Sequence, residues 1–152
     1  MKPAEPLNWR LIAIRALTVA MPLAAAALFI ADVESELDTV ARNMVPLVAV
    51  LCLAVFALIR NRGRWWRPDP RWPLATLGFA VPAVGLSLYL HILWHYDIDA
   101  LRTGARDPRL LFAYLPLYTM LAGAIGFALG LIVGRRLIER DQTDVVAKSK
   151  RQ

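Results

Sequence analysis

Hydrophobic residues along the chain fall into four long blocks that are separated by short polar segments. Each block is free or nearly free of charged side chains, and the last two are long enough to cross a bilayer, which takes about 20 residues. Because lipid offers the backbone no hydrogen-bond partners, a spanning segment must satisfy its own amides and carbonyls as a helix. The pattern therefore predicts four membrane helices, over about 11–31, 44–60, 72–96 and 110–136.

Two features of the first block need interpretation: its likeness to a signal peptide and the charge of Arg15 within it. Its basic start and alanine-rich run are also typical of a signal peptide, but Phe29 stands where a cleavage site before Asp32 would need a small residue. Cleavage after Ala26 or Ala27 stays an alternative, and an uncleaved helix is the prediction. Arg15 lies one turn inside the block, so we expect its long side chain to extend back to the membrane interface.

Basic residues are distributed unevenly between the polar segments. Of the 18 Lys and Arg, 14 lie in the N-terminal region with Arg15, in 60–71 and in the tail from Arg135, against four in 32–43 and 97–109. The positive-inside rule then places both termini in the cytoplasm and leaves two short external loops. Residues 137–152 are predicted to form a basic cytoplasmic tail after the fourth helix continues for a turn or two. The sequence does not decide whether 32–43 is helical.

Composition supports the same class of protein. Hydrophobic residues make up 58% of the chain and its mean hydropathy is +0.47, above what soluble domains show. Cys52 is the only cysteine, which excludes an intramolecular disulfide and a CxxC redox pair. The prediction is one all-α domain, a four-helix transmembrane bundle of a bacterial inner membrane, and its charge of +6 reflects orientation rather than nucleic-acid binding.

The loop between the second and third blocks is rich in arginine and tryptophan. Indole rings favour the depth of the lipid headgroups, and arginines are attracted to anionic lipids. We therefore predict that this segment contacts membrane lipids, through Arg62, Arg64, Trp65, Trp66, Arg67 and Trp72.

Small residues recur at every fourth position of the fourth block, at Ala122, Gly126, Gly130 and Gly134. Such a stripe lets two helix backbones approach closely. The partner helix could belong to the same bundle, with the alanines 16, 20 and 24 of the first helix as one complement. It could also belong to a second copy of the chain or to another membrane protein.

The clearest candidate for chemistry is the pair His91 and His95, whose spacing of four residues places both rings on one helix face near its external end. Two such histidines can bind one metal if other ligands join them, but the motif lacks the Glu of a zinc-protease HExxH. A proton-coupling role or an ordinary interfacial position are alternatives. The predicted outer-face polar site is His91, His95, Asp97, Asp99, Arg102 and Arg106, with no metal or cofactor assigned.

No Asp or Glu lies inside a predicted span, and intramembrane carboxylates are the usual marker of an ion or substrate path. The sequence therefore favours a non-catalytic partner protein. It would be an accessory or assembly subunit of a membrane complex, or an immunity-type protein against a membrane-active toxin. Two alternatives stay open: a small transporter or lipid-handling protein with an outer-face site, and a metal-dependent membrane enzyme.

Overall fold

A computed structural model describes residues 9–32, 37–62, 69–98, 104 and 108–149. Within these ranges the protein is all-α, and no strand occurs. All four helices are long and apolar enough to span a membrane. They are α1 (Trp9–Ala31), α2 (Leu37–Arg60), α3 (Arg71–His95) and α4 (Pro108–Ser149).

Two helices extend beyond their predicted ends. Helix α2 begins at Leu37, within the acidic segment whose structure the sequence left open. Helix α4 continues through Ser149, more than three turns beyond position 136, because no Gly or Pro interrupts the chain after Gly134. With 42 residues, α4 is about 63 Å long, roughly twice the thickness of a bilayer core.

Helices α2 and α3 are each followed, two residues after the last helical residue, by a left-handed residue. Arg62 has φ 55° and its N–H donates to the carbonyl of Ile59 at 2.8 Å, and Asp97 has φ 47° with its N–H 3.2 Å from the carbonyl of Trp94. This conformation is a common way to stop a helix and satisfy its last carbonyls.

Helix α3 has the most extensive contacts in the bundle. It packs against each of the other three helices, whereas α1 and α4 have no contact with each other in the described residues. The stripe on α4 therefore packs on α3, and the alanines of α1 that the sequence offered as its complement are exposed.

The contact between α3 and α4 brings their backbones together. A Cβ atom added to Gly78 of α3 would overlap the carbonyl oxygen of Gly126, and one added to Gly126 would overlap the carbonyl of Gly78. Gly130 lies in the same way against Leu74, and Gly134 against Arg71. These positions require glycine because backbone, not a movable side chain, occupies the space.

The middle of the bundle is apolar. Side chains of α1, α2 and α3 form one core, which consists of Ala25, Phe29, Leu47, Val50, Phe79, Ala80, Ala83 and Val84. Many large apolar residues point outwards instead, such as Ile30 (70% exposed), Ile59 (68%) and Ile125 (66%). An outer surface of this kind suits lipid rather than water and indicates a multi-pass membrane protein.

Candidate functional site: a histidine cluster at one end of the bundle

Four polar side chains from three helices meet where α1 and α3 end and α2 begins. We call Asp32, Asn43, His91 and His95 the histidine cluster. Asp32 directly follows α1, and its N–H donates to the carbonyl of Leu28 at 3.2 Å, which holds the residue at the last turn. One of its carboxylate oxygens, Oδ2, lies 3.0 Å from Nε2 of His91 and 3.1 Å from Nδ1 of His95.

His91 uses both of its ring nitrogens inside the bundle. Because a carboxylate oxygen accepts, Nε2 of His91 carries the hydrogen that is donated to Asp32. In the neutral ring Nδ1 is then an acceptor, and Nδ2 of Asn43 faces it at 3.5 Å. The side chain of His91 is only 9% exposed and its ring lies 4.6 Å from that of Phe29, centroid to centroid. His91 is therefore a buried, fixed residue.

His95 is held differently. Its Nδ1–H donates to Asp32, its ring packs edge-on against Tyr96 at 4.9 Å, and its side chain is 40% exposed. In the part of the chain that the structure describes, Nε2 of His95 has no hydrogen-bond partner. A carboxylate on one nitrogen fixes the tautomer and strengthens the other nitrogen as an acceptor. His95 therefore presents an oriented lone pair.

A pocket of about 280 Å³ lies beside the cluster, between the ends of α1 and α3. Its polar wall is formed by Asp32, His91 and His95, and its other lining residues are Leu28, Ala31, Leu88, Ile92 and Tyr96. Leu28 is 59% exposed and Ile92 is 48% exposed, so the pocket continues into the surface that faces lipid. It can hold a group that is polar at one end and apolar at the other.

A second buried polar region lies at the opposite end of α1. Arg15 is only 8% exposed, with the carboxylate of Asp69 close enough to act on it electrostatically. Together with Thr18 and Thr76 it lines a cavity of about 20 Å³, the size of one water molecule. The side chain of Arg15 is therefore enclosed by α1, α2 and α3 near the polar segment that contains Asp69, rather than exposed on the outer surface of the bundle.

The structure brings together only part of the predicted outer-face site. His91 and His95 share one partner, and that partner is Asp32 rather than the acids that follow α3. Asp97 lies in the turn after α3, and Asp99, Arg102 and Arg106 lie outside the described residues.

Two members of the histidine cluster were not among the predicted site residues. They are the first and last residues of 32–43, the polar segment between the first two predicted helices. Alternating topology does offer a signal, since the end of α1, the start of α2 and the end of α3 lie at the same end of the bundle. A search for polar residues at those three boundaries would have found both.

The side chains of the histidine cluster are arranged as a group held together by hydrogen bonds. Nε2 of His91 and Nδ1 of His95 both point to Oδ2 of Asp32. Among the described residues, no set of three His, Cys, Asp or Glu side chains is placed to hold a metal ion.

The predicted lipid-contacting loop is described only at its ends. Arg62 is exposed, and positions 64–67 lie outside the described residues. Trp72 is half-buried, with its ring 5.4 Å from Phe56 and 6.5 Å from Phe127, and the guanidinium of Arg60 is 5.9 Å from its centre. Trp72 therefore also packs α2 and α4 against α3.

Comparison with protein-family models, with curated proteins and with solved structures gives no match to this chain.

Proposed function

We propose that this protein is a small lipid-handling membrane protein that binds an amphiphilic ligand in the pocket beside the histidine cluster. The observation that carries the proposal is a largely enclosed carboxylate shared by two histidines, next to a pocket whose other lining residues are aliphatic apart from Tyr96 and continue to the lipid-facing surface. Small-ligand sites have this character, with apolar walls and a few placed polar groups.

Binding is favoured over transport by the composition of the bundle centre. Between the histidine cluster and Arg15, the described core is mostly apolar, with side chains such as Phe29, Val50 and Phe79, and its buried polar groups are uncharged hydroxyls. A polar substrate crossing the bilayer would need polar groups or a hydrated path there. A ligand that stays at one end of the bundle needs neither.

The experiment is a comparison of two Ala→Trp variants. Ala31→Trp places an indole in the pocket, and Ala128→Trp places the same ring on the exposed side of α4. We expect native mass spectrometry after mild solubilisation to show one amphiphile retained by the wild type and by Ala128→Trp, and lost from Ala31→Trp. Equal retention by both variants would contradict the proposal.

In this proposal the protein lies in a bacterial inner membrane with both termini in the cytoplasm, so the pocket is at the outer face. Support comes from the distribution of Lys and Arg, 14 of 18 on the side of the termini. Fusions of a cytoplasm-specific fluorescent reporter to each terminus should both be fluorescent. If neither fusion is fluorescent, both termini lie outside the cytoplasm and the proposed orientation is wrong.

A second candidate function is that of an accessory, assembly or immunity-type protein that binds another membrane protein through α4. It is favoured by the exposed apolar face of α4, which includes Ile125, Leu129 and Ile132. Because α3 occupies the glycine face, a partner or a second copy would contact this other face. Leu129→Cys in a Cys52→Ala background should then form specific crosslinks, and Gly85→Cys on α3 should not.

A further inference from the structure

We infer that the pocket selects amphiphiles that carry a primary ammonium group, and that Nε2 of His95 accepts a hydrogen bond from that group. This inference rests on the proposed function and assigns the chemistry of its ligand. The starting point is the difference between the two histidines, since His91 uses both ring nitrogens within the protein and His95 uses one.

Nε2 of His95 offers the pocket an acceptor rather than a donor. Nδ1–H of His95 is used by Asp32, so the neutral ring presents the lone pair of Nε2. A ligand that binds this atom must bring its own N–H or O–H. Headgroups without a donor, such as a quaternary ammonium or a carboxylate, cannot form this bond.

Charge selects an ammonium among the possible donors. Among the described residues that line the pocket, Asp32 carries a formal negative charge when the histidines are neutral, and none is a Lys or Arg. The titratable groups that line the pocket are Asp32, directly after α1, and His91, His95 and Tyr96 at the end of α3. A cationic headgroup is attracted to this wall, and an anionic one is repelled by it.

The ring of Tyr96 and the apolar wall fit the rest of such a ligand. Tyr96 lines the pocket and is packed edge-on against His95, so an ammonium beside Nε2 also lies near an aromatic ring. Leu28, Leu88 and Ile92 can contact an alkyl chain in the adjoining lipid. The ammonium could belong to a lipid headgroup such as phosphatidylethanolamine or to a free long-chain amine.

The test uses purified full-length protein and probes with one chain length and different headgroups. Binding of dodecylamine, dodecyltrimethylammonium and dodecanol is measured by calorimetry in a non-ionic detergent. We expect dodecylamine to bind about tenfold more tightly than the other two, the effect of one charge-assisted hydrogen bond. His95→Ala should remove this preference, and His95→Gln, which keeps an acceptor, should restore part of it. Cys52→Ala, in the middle of α2, is the control and should bind as the wild type does.

A second arm identifies the source of the ammonium. The protein is placed in vesicles that contain equal amounts of phosphatidylethanolamine and phosphatidylcholine, and the retained lipid is identified by native mass spectrometry. Enrichment of phosphatidylethanolamine, lost in His95→Ala, supports a lipid headgroup. Dodecylamine selectivity without that enrichment supports a free amine.

The two proposals fail in different ways. If Ala31→Trp abolishes binding but the three probes bind the wild type equally, the pocket stands and the ammonium inference is overturned. The inference is also overturned if His95→Ala keeps the preference for dodecylamine. If no probe binds in a manner that depends on position 31, the proposed function itself is wrong.

Discussion

Helix α3 is packed in two different ways by its neighbours α4 and α1. Against α4, glycine backbones are in direct contact and no side chain separates Gly78 from Gly126. Against α1, side chains separate the two backbones, with Phe29 beside His91 at the end that carries the histidine cluster and Arg15 towards the other end. In the described residues, the α4 contact is formed by glycines against backbone, whereas the α1 contact borders cavities lined by ionisable groups.

This difference indicates a division of roles within one small bundle. Membrane helices associate without a strong hydrophobic drive, so close packing of small residues is an efficient way to fix two of them. Once α3 and α4 form such a pair, the α1 side of α3 can accommodate less efficient packing. Buried polar groups are costly there, and they are typical of functional rather than structural positions in a membrane.

The largest expected loss of stability comes from breaking the close backbone contact between α3 and α4. Gly78→Ala should lower the free energy of unfolding by about 3 kcal/mol, because the added methyl overlaps the backbone of Gly126. Gly85→Ala is the matched control on the same helix, since its added methyl meets nothing within 4 Å. Both changes gain the same helix propensity. Thermal unfolding in mild detergent, followed by circular dichroism, measures the difference, and equal midpoints would contradict the close-packed interface.

A smaller effect is expected at the α1 contact, where the two histidines should differ from each other. His91→Ala leaves a space beside Phe29 and removes partners from both Asp32 and Asn43, so we expect a loss of about 2 kcal/mol. His95→Ala removes a half-exposed ring with one hydrogen bond and should cost less than about 1 kcal/mol.

The same thermal assay measures this pair of variants. If His95→Ala destabilises the protein as much as His91→Ala does, the two residues do not have the separate structural and ligand-contacting roles that their environments indicate.

The sequence was sufficient for one side of this comparison and not for the other. Four apolar blocks are a direct consequence of bilayer thickness, so the helices could be predicted, and the stripe of small residues on α4 was visible as a periodicity. That its partner is α3 could not be predicted, because Gly78 and Gly85 look equivalent in sequence and only one meets another backbone.

The candidate site was even less accessible from sequence. His91 and His95 form a helical pattern, but Asp32 is 59 residues away from the nearer of them along the chain. It resembles the other acids of its segment, and only the packing of α1 on α3 makes it their shared acceptor. The start of α2 was left open by the sequence, since four of the six residues 38–43 are polar and lie outside the hydropathy pattern.

The smallest effect on stability is expected at Arg15, which lies at the opposite end of the α1–α3 contact from the histidine cluster. Removing a buried charge is often severe where a nearby opposite charge then loses its compensation. Asp69, however, accepts hydrogen bonds from Nε and Nη2 of Arg71 at 3.1 and 2.9 Å, and these remain when Arg15 is replaced. We therefore expect Arg15→Met to cost only about 1 kcal/mol, with Arg10→Met on the exposed start of α1 as a neutral control. A loss as large as that of Gly78→Ala, in the same thermal assay, would show that Arg15 stabilises the α1 contact as strongly as the glycines stabilise the α4 contact. The division between a structural and a functional side of α3 would then be wrong.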